Sequence, residues 1–107
     1  MKKKIITNII CCIFVLTFFT TKSINADDLF DQGKIIFLGD GNCASCHTLK
    51  DANSNANIGP NLNEIRPSIE KIISVVTNGI GVMPSYEGQL TTEEIKAVAT
   101  YVLKTTN

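Results

Sequence analysis

The sequence predicts an all-α fold, one small helical domain over residues 27–107. Three segments space their apolar residues at helical intervals, their ends carry helix start and stop signals, and no strand pattern or internal repeat stands out. In the first segment Asp27 and Asp28 supply negative charge where a helix begins, and Phe30, Gly33 and Phe37 recur at i, i+3 and i+7 on one face. This helix ends near Gly39-Asp40-Gly41. Pro67 suits the first position of the second helix, where Ile69, Ile72, Ile73 and Val76 form a stripe that stops at Asn78-Gly79. The last helix opens with a capping box, Thr91 with Glu94, and Leu90 can staple against Ile95 across it. Ile95, Val98, Ala99 and Val102 are its buried face. Between the first two helices, Asp51-Ala52-Asn53-Ser54-Asn55-Ala56-Asn57 is polar and turn-rich, which predicts an exposed loop with no chemistry of its own.

The 107 residues carry ten basic and ten acidic groups, but the balance is uneven along the chain. Lys2, Lys3, Lys4 and Lys22 fall in the first 26 residues, which hold no Asp or Glu. An apolar run, Ile9 to Phe19, follows the basic start and is interrupted only by Thr17; polar residues then lead to Ala26. That order predicts a secretory signal peptide over residues 1–26, cleaved after Ala26. The run is shorter than the ~20 apolar residues that span a bilayer, so no stable membrane insertion is expected after cleavage. Cys11 and Cys12 would leave with the signal. Residues 27–107 then hold six basic groups against ten acidic ones, a net charge of −4, and this argues against nucleic acid as a partner.

Two cysteines remain, in Cys43-Ala44-Ser45-Cys46-His47, and His47 is the one histidine of the chain. C-x-x-C-H is the attachment signature of c-type haem: two thiols add to the vinyl groups as thioethers from one turn, and the histidine is delivered to the iron. Three competing readings fit less well. A structural zinc ion needs four ligands, and no further Cys or His exists downstream. A thiol–disulfide oxidoreductase would place its C-x-x-C after a strand in a βαβ pattern. A plain disulfide would close too short a loop to constrain the unfolded chain much, and it leaves His47 unexplained.

Beyond the signal, Met83 is the one methionine, set in Gly79-Ile80-Gly81-Val82-Met83-Pro84. A lone Met is ordinarily core filler. Its glycine-flanked, proline-terminated setting indicates an ordered loop instead, and given a haem it is the candidate sixth ligand. The alternatives are an open site, a water or a lysine. The site residues expected are therefore Cys43, Cys46, His47 and Met83, the last two on the iron.

These residues resemble the small class I c-type cytochromes. The likeness runs from Gly33-Lys34-Ile35-Ile36-Phe37 through the C-x-x-C-H motif, Ile58-Gly59-Pro60-Asn61-Leu62 and Asn78 to Pro84, to Ala99-Thr100-Tyr101-Val102. It is nearest to short bacterial monohaem carriers and soluble photosynthetic cytochromes. The resemblance implies a small cytochrome c-like helical domain packed around one covalently attached haem. It also implies that Gly33, Phe37 and Tyr101 join the first and last helices, and that the Pro60 carbonyl orients His47. Tyr86, Asn63 and Arg66 are weaker candidates for contacts to haem propionates or to the Met83 sulfur. So small a domain buries little surface, and the apoprotein is expected to be poorly folded.

An iron with both axial positions filled has no vacancy for substrate and changes oxidation state with little ligand movement. The expected function is accordingly a periplasmic one-electron carrier of positive potential and no enzyme, monomeric by family expectation. Its donors would be a quinol-oxidising cytochrome b-type complex or a periplasmic dehydrogenase, and its acceptors a haem-copper oxidase or a peroxidase. The runner-up is a haem-bearing subunit held permanently as the electron outlet of a periplasmic dehydrogenase, for example a sulfite-oxidising one. Peroxidase or gas-sensing chemistry would require an open iron site.

Overall fold

A computed structural model describes residues 21–107. The proposed signal run and Cys11 and Cys12 lie outside the described residues. Helix α1 spans Ala26–Leu38 with Asp27 and Asp28 in its first turn. It stops where predicted, at Gly39, whose N–H donates to the Ile35 carbonyl at 2.8 Å; the Gly41 N–H then donates to Ile36 at 2.9 Å. Helix α4 spans Thr92–Thr106, and its capping box forms in full. The Glu94 N–H donates to the Thr91 hydroxyl at 3.1 Å while the Thr91 N–H donates to the Glu94 carboxylate at 2.8 Å. Leu90 and Ile95, on either side of the cap, are both buried, as are Val98, Ala99 and Val102.

The two helices cross at Gly33. A Cβ built there would lie 2.1 Å from the Ala97 carbonyl oxygen and 2.6 Å from the Tyr101 Cβ, so only a glycine lets the backbones approach this closely. Tyr101 is fully buried beside the crossing, edge-on to Phe30 at 5.2 Å and to Phe37 at 5.7 Å between ring centroids. The expected Gly33–Phe37–Tyr101 contact is therefore present.

Helix α3, Ile69–Asn78, buries Ile72 and Val76, with Ile69 and Ile73 half-buried on the core. Its start corrects the sequence reading. Ser68 is the N-cap, and its hydroxyl accepts from the Lys71 N–H at 3.2 Å, so Pro67 lies just outside the helix and not at its first position. The serine hydroxyl satisfies an otherwise orphaned N–H, and proline has no means to do so. A one-turn helix α2, Leu62–Ile65, capped by the Asn61 side chain, was not predicted.

The segment after the C-x-x-C-H motif also departs from expectation. Strands β1 (Thr48–Leu49) and β2 (Ser54–Asn55) pair antiparallel, Thr48 with Asn55 and Leu49 with Ser54, around a 3₁₀ turn at Lys50–Ala52. Within the stretch read as an exposed loop, Ala52 and Ser54 are buried, and the Ser54 hydroxyl accepts from the Leu49 N–H at 3.0 Å. Asp51 accepts from the Tyr101 hydroxyl at 2.6 Å and pairs with Lys34 at 3.1 Å, pinning the hairpin to α1 and α4. These two partners, Tyr101 first, hold the Asp51 carboxyl below its ordinary value, while burial and the facing carboxylate push the Tyr101 hydroxyl up. No helix among the described residues is long and apolar enough to cross a membrane.

Gly33→Ala should cost the haem-loaded protein about 1–3 kcal/mol, because the new methyl must push α1 away from α4; chemical denaturation measures this. Asp51→Asn should weaken the protein at neutral pH. The lowered folded pKa means that the aspartate's contribution is present above its unfolded value of 3.8 and is lost as pH falls through the lower folded value. The stability gap between wild type and Asp51→Asn should therefore shrink as the pH is taken below 3.8 in paired denaturation curves.

Candidate functional site

The site begins where α1 ends. Asn42, in the left-handed conformation at φ 50°, turns the chain into a 3₁₀ turn at Cys43–Ser45. The N–H groups of Cys46 and His47 both donate to the Cys43 carbonyl, at 3.1 and 2.9 Å, so two thiols and an imidazole come from a single turn. The Cys43 and Cys46 thiols are free and half-buried.

His47 Nδ1 lies 2.8 Å from the Pro60 carbonyl oxygen. A carbonyl only accepts, so Nδ1 carries the proton and donates, and the Nε2 lone pair is left available. This is the contact the resemblance implied. The neighbouring residue matters as much: a Cβ on Gly59 would lie 2.6 Å from His47 Cε1 and 2.8 Å from Nδ1, so a side chain there would displace the ring. The Gly59 N–H also donates to the Cys46 carbonyl at 2.7 Å. Sequence reasoning did not single out Gly59. Its signal, a glycine before proline, reads equally well as an ordinary turn.

The opposing wall comes from α3. Gly79, at φ 73°, ends the helix, and a Cβ there would lie 2.7 Å from the Met83 carbonyl oxygen. Ile80 and Met83 exchange backbone hydrogen bonds of 3.1 and 2.9 Å around Gly81-Val82. Gly81 takes φ 55° at the first central position, the sign that a two-residue hairpin turn demands there. After Pro84, the Ser85 hydroxyl donates to the Thr77 carbonyl at 2.6 Å and the Tyr86 N–H to the Val76 carbonyl at 2.9 Å. The Tyr86 hydroxyl donates to the Gly41 carbonyl.

Between the walls lie two adjoining cavities of about 210 and 230 Å³. Cys43, His47, Pro60, Ile80 and Met83 line both. The inner cavity is closed by apolar side chains of α1, α3 and α4, among them Phe37, Ile72, Val76, Val98 and Val102, with Lys71 as its one charged lining residue. The outer cavity adds Cys46, Ile58, Gly59, Val82 and Tyr86 and no charged residue. All four residues singled out from sequence therefore meet at one cleft. Asn63 and Arg66 have structural work elsewhere: Asn63 accepts from the Lys50 N–H at 2.8 Å, and Arg66 terminates α2.

The electrostatics separate the competing readings. Burial pushes the Cys43 thiol up to about 11, whereas a thiol–disulfide oxidoreductase needs a lowered thiol pKa. Among the described residues no group of three or more His, Cys, Asp or Glu could hold a metal ion, which removes the zinc reading. Two thiols on one turn, an imidazole with its outer nitrogen free, a thioether on the far wall and an apolar cleft between them suit a covalently attached haem.

The sequence model of the family described as "Cytochrome C oxidase, cbb3-type, subunit III" matches residues 28–102. The chain is 39% identical over 83 residues to cytochrome c6 of Synechocystis, covering 67% of this chain and 62% of that one. It is 37% identical over 115 residues to cytochrome c6 of Nostoc, covering 94% and 92%. The crystal structure of the c-type cytochrome SorU from Sinorhizobium meliloti superposes with a TM-score of 0.70 at 48% identity, over 74% of this chain and 92% of that one. With the motif, the helical frame and these relatives in agreement, the chain belongs to the small class I c-type cytochromes, electron-transfer proteins and not enzymes that carry one covalently attached iron haem.

Proposed function

We propose that residues 27–107 form an exported one-electron carrier in which Cys43 and Cys46 hold the haem through thioether bonds and His47 and Met83 take the two axial positions on its iron. The observation that carries this reading is the shared lining of one apolar cleft by His47, with Nδ1 committed to Pro60, and by Met83 on the facing wall. The bound haem supplies a one-electron couple, and methionine–histidine ligation places it at positive potential. The protein's part is to hold the two ligands, exclude water and make the imidazole a better donor through the Nδ1–H bond to the Pro60 carbonyl. With His47 and Met83 both committed to the iron, no position on it would be left for a substrate.

Residues 1–26, with their basic start and apolar run, support export to the periplasm. Cleavage after Ala26 would remove the first residue of α1 and the bond from the Leu29 N–H to the Asn25 carbonyl but no side-chain cap, and Asp27 and Asp28 would remain. Electrons would pass through the mouth of the cleft, where Ile58 and Val82 are 68% and 88% exposed and no charged residue lines the wall. Donors of the expected kind are a quinol-oxidising complex or a periplasmic dehydrogenase; acceptors are a haem-copper oxidase or a peroxidase. A second reading is a permanent electron-outlet subunit of a periplasmic dehydrogenase, which would bury these side chains within a larger stable interface. Copurification with a dehydrogenase at stoichiometric ratio would select it.

The test is an absorption spectrum of the periplasmically matured protein, oxidised and reduced, with and without carbon monoxide. A c-type spectrum, a weak far-red band from the methionine–ferric bond and no response to carbon monoxide are expected. A response to carbon monoxide in the wild-type protein would overturn the six-coordinate carrier. Met83→Ala should abolish the far-red band, admit carbon monoxide and lower the potential by on the order of 0.1 V in a redox titration.

A further inference from the structure

We infer that Tyr86 is a positioning residue, a latch whose hydroxyl ties the Met83 wall of the cleft to the thiol-bearing wall and so keeps external ligands off the iron. The inference rests on the ligation proposed above, with Met83 on the iron. It starts from how the Met83 segment is held. The Ser85 hydroxyl bonds to Thr77 and the Tyr86 N–H to Val76, both carbonyls of α3, from which the segment itself emerges. These bonds fix the segment to its own helix and do nothing to hold it against the facing wall. Among the described residues one hydrogen bond crosses from this segment to the C-x-x-C-H side: the Tyr86 hydroxyl donates to the Gly41 carbonyl, 45 residues away in sequence.

The acceptor is itself rigidly placed. The Gly41 N–H donates to the Ile36 carbonyl at 2.9 Å, and a Cβ on Gly41 would lie 2.8 Å from that same oxygen and 3.1 Å from the Cys43 sulfur. The carbonyl that receives Tyr86 therefore belongs to a residue packed directly against the first thiol. Tyr86 lines the outer cavity with Cys43, Cys46 and Met83, so its side chain forms part of the cleft wall while its hydroxyl reaches across to Gly41. For Met83 to leave its place by movement of this segment, the Tyr86–Gly41 bond must break and leave a part-buried carbonyl without its donor.

An external ligand can take the sixth position only in that opened state, so its apparent affinity scales with the population of the open form. A phenylalanine at position 86 would keep the ring and its packing and lose only the latch. Tyr86 thereby acts on selectivity: it favours a closed electron carrier over a ligand-binding haem protein, without touching the transferred electron.

The experiment compares imidazole binding to the ferric, haem-loaded wild type, Tyr86→Phe and Met83→Ala, with the far-red band followed throughout. Tyr86→Phe should keep the band in the absence of imidazole and bind imidazole about three- to tenfold more tightly than wild type, the equilibrium weight of one hydrogen bond. A denaturation midpoint that falls while imidazole affinity stays within twofold of wild type would show Tyr86 to be merely structural and overturn the latch. If wild type has the band, Met83→Ala lacks it and Tyr86→Phe binds imidazole as wild type does, the ligation stands and the latch alone fails. If wild type lacks the band, Met83 is not on the iron and the latch falls with the ligation.

Discussion

The backbone contact between α1 and α4 at Gly33 is the constraint from which the rest of the cleft is placed. With Ala97 and Tyr101 against Gly33, the two helices cannot slide or separate without losing the Tyr101 packing on both sides. Phe37, one turn beyond Gly33, and Val98 and Val102, flanking Tyr101 on α4, then become the floor of the inner cavity. The end of α1 determines where Gly41 stands and hence where Cys43 begins its turn. A contact remote from any reacting atom thus positions the first thiol, the wall behind it and the acceptor for Tyr86.

The two walls are held by different physical means. The histidine wall is fixed closely: one nitrogen is committed to the Pro60 carbonyl, and the ring occupies the space that a side chain at Gly59 would take. The methionine wall is a hairpin turn on the end of α3, anchored by two bonds to its parent helix and by one across the cleft. Under the proposed ligation, such an arrangement would make the imidazole the permanent partner and the thioether the exchangeable one. Ligand competition at an iron held here would therefore be decided on the methionine side.

The features readable in the sequence are those whose cause is local. The capping box of α4 needs only Thr91 and Glu94 three residues apart, the α3 stripe needs only helical spacing, and the ends of α1 and α3 need only glycine. The place of Met83 in an ordered loop was legible because two glycines and a proline surround it in a segment with no helical pattern. What escaped depends on partners distant in sequence. Asp51 looks like one of five polar residues in a loop until Tyr101 reaches it from 50 residues away, and the buried Ser54 is explained only by the pairing that turns it toward Leu49. Helix α2 and the β1–β2 pair are too short to express a period at all. The start of α3 was placed two residues early, at Pro67 instead of Ile69, because proline and serine both announce a helix start, and only the hydroxyl can bond to the free N–H.

Charge and contact are divided between different parts of the surface. Residues 27–107 carry −4, yet no charged side chain lines the outer cavity, whose rim is Ile58, Val82 and Pro84. Beyond a Debye length of ~8 Å at physiological ionic strength, individual surface charges are screened, so the acidic surface can bias approach and orientation only over a short range. Final contact at an apolar rim instead gains from water release, is insensitive to salt and has few directional bonds to break on leaving. A protein that must meet one partner, hand over an electron and depart for another is served by that separation: charges set how often it arrives in the right orientation, and a small apolar edge keeps the stay short. A permanent subunit would need this edge extended by further apolar surface to reach the area of a stable interface, ~1,200–2,000 Å² in total. The exposed aliphatic side chains on the outer wall, Ile58, Ile80 and Val82, are few beside the ~20–30 residues a side of such an interface, and this argues for the mobile carrier over the fixed outlet.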